Sequence, residues 1–140
     1  MENNPRKNKS FNADEREQII FHRQYDPENY KDGGICKFKS LHYNVIMELM
    51  DKGYLDPDDY QNCSPTVDSF AMFVKNHDPK NWYFFGYVVS PERDDCRVAI
   101  EGIGSYKPLS MDDLIDFLQE YRHADEIDAE RDEPVYCWYD

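Results

Sequence analysis

Between Ser40 and Lys52 seven of the eleven positions are apolar. Leu41, Tyr43, Val45, Ile46, Met47, Leu49 and Met50 cover most of a helical circumference, and Asn44, Glu48 and Asp51 leave a narrow polar strip. A helix that is apolar on most sides belongs in a core, with Ser40 as its expected cap and Gly53 as its stop. Two further segments show helical spacing with a cleaner division. After Ser64-Pro65, a capping hydroxyl followed by a first-turn proline, Val67, Phe70, Ala71 and Val74 share a face opposite Asp68, Lys75 and Asn76, and the helix should end by His77, ahead of Asp78-Pro79. After Ser110, Met111, Leu114, Ile115, Phe117, Leu118 and Tyr121 fill one arc. Asp112, Asp113, Asp116 and Glu120 fill the other, and Ser-Met-Asp-Asp resembles a capping box. Asn12 or Asp14 could cap a first helix to about Gln24, with Ile19, Ile20 and Phe21 as its apolar contact.

The strand signals are concentrated in the middle of the chain. Asn81 to Ser90 is apolar on both faces, which predicts a central strand covered on both sides. A turn over 90–95 leads to a partner strand, Cys96 to Ile103, with Val98 and Ile100 on one face and Arg97, Ala99 and Glu101 on the other. Ile35 to Lys39 reads as a short edge strand and Val135 to Tyr139 as a last strand. Tyr25 to Gly34 reads as a loop, and Ala124 to Glu133 as a helix extension or a loop ended by Pro134. The expected fold is α+β: three main helices packed on a small, mainly antiparallel sheet with a central hairpin at about 81–104. Residues 12–140 make one domain after a flexible, polar N-terminus at 1–11.

Charge changes the picture at one end. Of the 29 acidic side chains, eleven lie between Leu109 and Asp140, against two basic ones there, in a chain of net charge −13. Such a field favours basic partners and repels nucleic acid and anionic membrane. The expected contact residues are Asp112, Asp116, Glu120, Asp125, Glu126 and Asp128, with Trp138 and Tyr139 as an aromatic tip. A solvated face is the plainer account of these acids, with Asp112 and Asp113 stabilising a helix N-terminus.

Other chemistry is sparse. The order helix, strand, helix, helix, strand, strand over 12–104 is that of a winged-helix domain, which gives a DNA-binding regulator as an alternative. Its reading helix would set Lys75 against Asp68, and its wing would set Arg93 among Glu92, Asp94 and Asp95, so the basic footprint of a DNA reader is missing. A second alternative is a metal-dependent enzyme using Asp94, Asp95 and Glu101, although the two aspartates suit a turn and Glu101 suits a pairing with Arg97. No phosphate-binding glycine loop, G-x-S-x-G or H-E-x-x-H is present, and no histidine stands at zinc-ligand spacing from a cysteine. Neither a cofactor nor a metal is expected. The rings of Trp82, Tyr83, Phe84, Phe85 and Tyr87 read as core rather than as a base-stacking platform, because basic residues do not interleave them.

Cys36, Cys63, Cys96 and Cys137 are widely spaced and are expected as free thiols, with Cys63 and Cys96 buried. No apolar run spans a membrane, and Met1 to Ser10 lacks the apolar core of a secretory signal, so the expected setting is cytoplasmic. The leading functional expectation is a non-catalytic protein-interaction or regulatory module.

Overall fold

The structure, a computed structural model, describes residues 12–22, 30 and 32–140. In chain order the elements are α1 (Ala13–Phe21), β1 (Ile35–Leu41), α2 (Tyr43–Asp51), α3 (Val67–Asn76), β2 (Trp82–Val89), β3 (Val98–Ser105), α4 (Met111–Glu120), β4 (Glu126–Asp128) and β5 (Tyr136–Trp138). The five strands form one antiparallel sheet in the order β1-β2-β3-β5-β4. The fold is α+β with the expected central hairpin, but four helices pack on the sheet rather than three. Among the described residues the fourth is α1, the first helix expected behind Asn12, docked by the fully buried Arg16, whose guanidinium donates to the Val89 carbonyl at 3.1 Å and the Tyr30 hydroxyl at 2.9 Å. The N-terminus expected to be flexible, and most of the loop expected over 25–34, lie outside the described residues.

Capping explains where three helices begin. Asn12, Thr66 and Ser110 each place a side-chain oxygen on the amide three residues later, for α1, α3 and α4. Thr66 thus takes the role expected of Ser64, whose hydroxyl instead accepts from the Gln61 amide. Ser40 is not a cap either. β1 runs on through Leu41, past an irregularity in its pairing with β2, and α2 begins after His42. Helix α1 ends at Phe21, with His22 in the left-handed region. Gly53 does follow α2 with a positive φ of 80°, the conformation that favours glycine.

One core joins the sheet to the helices. Trp82, Phe84, Val88, Ile100, Ile103 and Cys137 on the sheet share it with Ile46, Leu49, Phe70, Val74, Leu114 and Phe117. Its densest part is aromatic: Trp82 stacks on Phe117 at 5.7 Å and meets Phe73 edge-on at 5.5 Å, and Tyr121 closes on both phenylalanines. Each such pair adds about 0.5–1.5 kcal/mol beyond the area it buries.

The second face of β2 departs from expectation. Tyr83, Phe85 and Tyr87 alternate with the core residues and stay half-buried, with no helix of the described residues over them. They pair with Gly104, Gly102 and Ala99 of β3. A side chain at Gly104 would collide with the Tyr83 ring, and one at Gly102 would meet Phe85. The rings therefore lie down across the small residues of the neighbouring strand. A strand that is apolar on both faces is compatible with an open face when its partner strand supplies glycine.

Candidate functional site

The residues expected to form one acidic contact surface occupy separate places. Asp112, Asp116 and Glu120 are exposed on α4. Glu126 and Asp128 lie on β4, the outermost strand, opposite Trp138 and Tyr136, and so share the sheet's open face with those rings. The Tyr136 hydroxyl donates to Glu126. Asp125 accepts from the Asp140 amide at 2.7 Å. Trp138 is half-buried on the open face and donates its indole N–H to Glu101 at 3.3 Å. Tyr139 is not part of an exposed tip: it is buried against Phe70. The acidic segment 124–133 neither extends α4 nor stays a plain loop, because Glu126–Asp128 pairs with β5.

Helix α4 carries more than acids. Leu114, Phe117 and Tyr121 enter the core, as its periodicity requires. Met111, Ile115 and Leu118, expected beside them, are instead 50, 46 and 40% exposed. At spacings of four and three residues they form one stripe along the helix, with Asp112, Asp116 and Glu120 on its solvent side. The helix is thus divided three ways: a buried face, an uncovered apolar stripe and an acidic row.

The open sheet face is also polarised. Lys37 and Lys39 stand on β1 at one edge, Tyr83, Phe85, Tyr136 and Trp138 line a groove of about 360 Å³ in the middle, and Glu126 and Asp128 stand at the far edge. The lysines that do interleave with the aromatics come from β1, more than 40 residues away in the chain, so the run at 82–87 could not reveal them.

Near the start of α4 lies a cluster that no local spacing announced. His77 caps the C-terminus of α3 with its ring stacked on Phe73 at 4.0 Å. Its Nδ1 stands 2.7 Å from the Phe73 carbonyl, which can only accept, so Nδ1 carries the hydrogen. Nε2 points to α4, 3.1 Å from Asp116 Oδ2. Donor atoms of His77, Asp113 and Asp116 all lie within 4.8 Å of one another, and this is the one such group among the described residues. Burial works against protonation of His77, but the Phe73 carbonyl and the Asp116 and Asp113 carboxylates outweigh it and hold its pKa above the usual imidazole value. A cleft of about 460 Å³ opens beside the cluster, lined by His77, Asp113, Asn81, Lys80 and Lys107.

The acids at 94–101 are engaged differently. Asp95 is held by Arg93 through two hydrogen bonds of 2.8 Å and by Arg97 at 3.3 Å, and the Arg93 bonds draw its pKa below the usual carboxylate range. Glu101 serves Trp138 rather than Arg97.

The four cysteines are free, with Cys36, Cys96 and Cys137 buried and Cys63 exposed, contrary to the burial expected of Cys63. Among the described residues, no helix is long and apolar enough to cross a membrane. No family model, curated protein or solved structure matches the chain.

Proposed function

We propose that this chain is a non-catalytic, cytoplasmic module that binds another protein through α4. The observation that carries the reading is the stripe of Met111, Ile115 and Leu118, large apolar side chains left 40–50% exposed along one helix. Protein contacts are built from an apolar centre that loses water and a polar rim that sets partner and register. Here the stripe is the centre, and Asp112 and Glu120 are the rim. The matching occupant is a basic amphipathic segment that sets apolar residues on the stripe and lysine or arginine on the acids. The open sheet face supports the same reading less strongly, because its rings already rest on Gly102 and Gly104. DNA is disfavoured as the partner, since the acidic row repels a phosphate backbone.

The test is affinity capture with three proteins: wild type, the stripe variant Met111→Ser/Ile115→Ser/Leu118→Ser, and the rim variant Asp112→Asn/Glu120→Gln. A specific basic partner should be retained by wild type, lost with the stripe variant, and held by the rim variant with weaker salt dependence. Partners retained equally by all three would overturn the proposal. So would light scattering that shows the stripe closed in a homodimer.

A further inference from the structure

We propose that His77, Asp113 and Asp116 form a binding site for one divalent transition ion of the zinc class. The inference is independent of the docking surface and rests on how two helices are held together. His77 is oriented from both sides: its ring stacks on Phe73, and its Nδ1–H is committed to the Phe73 carbonyl. That is the outer-shell arrangement that fixes a ligating histidine's orientation, and it leaves Nε2, hydrogen-bonded to Asp116 in the metal-free protein, as the atom a metal would take in place of its proton. Helix α4 then supplies two carboxylates one turn apart, both facing that nitrogen.

The spacing suits a metal. Donors about 2.1 Å from a tetrahedral ion stand roughly 3.4 Å from one another. Nε2 and Asp116 Oδ2 are already 3.1 Å apart, and the full set lies within 4.8 Å. To reach that spacing the donors would have to close by at most about 1.4 Å.

Ligand type selects the ion. An imidazole nitrogen with two carboxylate oxygens suits zinc and its neighbours, whereas calcium and magnesium prefer all-oxygen shells. Two carboxylates also neutralise a divalent charge. The three protein donors leave coordination positions open, and the adjoining cleft of about 460 Å³ gives water or another oxygen donor access to them. The same site would clamp the end of α3 to the first turns of α4.

The experiment is calorimetric titration of metal-free protein with Zn²⁺, with Mg²⁺ and Ca²⁺ as controls. A Cys63→Ser background removes the exposed thiol as a competing ligand. One zinc per chain is expected, with His77→Gln and Asp113→Asn each weakening affinity by about tenfold or more. Circular dichroism in the presence of chelator establishes that the variants are folded. Histidine-ring NMR of the unsubstituted protein gives a second readout that needs no variant: zinc should shift the His77 Nε2 resonance. The site is refuted if zinc does not bind, if both variants bind it as tightly as wild type, or if His22, His42 or His123 responds in place of His77.

Discussion

The Trp82 indole N–H donates to the His77 carbonyl at 2.7 Å. The first residue of β2 is thereby tied to the residue that closes α3. Trp82 is fully buried, and its ring stacks on Phe117 of α4. One side chain thus connects the sheet, the end of α3 and the helix that carries the acidic row. Substitution Trp82→Phe keeps most of the apolar contact and removes the donor. The cost should be about 1–3 kcal/mol, because the carbonyl loses its buried partner. Urea unfolding measures it, and amide exchange at the end of α3 should speed up more than exchange in β1.

Two glycines of the hairpin should respond differently to the same substitution. A Cβ at Gly86 would be driven into the Ala99 carbonyl, which is backbone within the ladder and has no room to give way. At Gly104 the obstacle is the ring of Tyr83, which can swing aside. Gly86→Ala should therefore destabilise by about 3 kcal/mol or more, in the range of severe backbone and overpacking effects, and Gly104→Ala by about 1–2 kcal/mol. A Tyr83→Ala background should reduce the cost of Gly104→Ala and leave that of Gly86→Ala unchanged. Equal costs in wild type would contradict the geometry.

Much of this architecture is legible in the chain because period and capping agree. Val67 to Val74 and Leu114 to Tyr121 repeat at helical spacing behind hydroxyl residues, and the continuous apolar run before Ser90-Pro91 and the alternating one after it read as strands. The misreadings have physical causes. Ser40 looked like a cap because a serine precedes an apolar helix, but β1 was still pairing with Phe84 at Leu41. The β4 strand is three residues with acids at two of them, so it offers no apolar run to detect. Met111, Ile115 and Leu118 fit the apolar arc of α4, yet helical period alone does not say how wide an arc the rest of the protein covers. The partners of His77 come 36 and 39 residues later, through the packing of α3 against α4, and spacing rules for metal ligands look only within short stretches.

The cysteines give a prediction about access. Cys36, Cys96 and Cys137 are buried, and Cys63 is exposed. Burial pushes the Cys137 thiol up to about 12, and burial with the neighbouring Glu17 charge pushes Cys36 up to about 11, so neither holds much thiolate near neutrality. Titration of the native protein with a thiol reagent should show one fast-reacting group, abolished by Cys63→Ser. The other three should react at the rate at which the fold opens. Two or more fast thiols would contradict the burial of Cys36, Cys96 and Cys137.

Acid should loosen the contact between α1 and the end of α2. Glu15 of α1 accepts from the Tyr54 hydroxyl at 2.5 Å and from Lys52 at 3.3 Å. The tyrosine hydrogen bond and then the Lys52 hydrogen bond lower the Glu15 pKa against a smaller opposing effect of burial. Tyr54 is pushed up to about 12, by its own burial and by the carboxylate it serves, and so stays protonated as the donor. A carboxylate whose pKa is depressed by folding adds stability above its unfolded value, near 4.3, and loses it as pH falls through the folded value. The contribution is modest, because Glu15 and Lys52 are exposed to solvent. Between neutrality and about pH 3, wild type should therefore lose more stability than Glu15→Gln, which has no proton to gain. Other carboxylates titrate in both proteins, so the difference between the two unfolding curves is the quantity to read. Parallel curves across that range would show that the Tyr54–Glu15 contact does not bind α1 to α2 in solution.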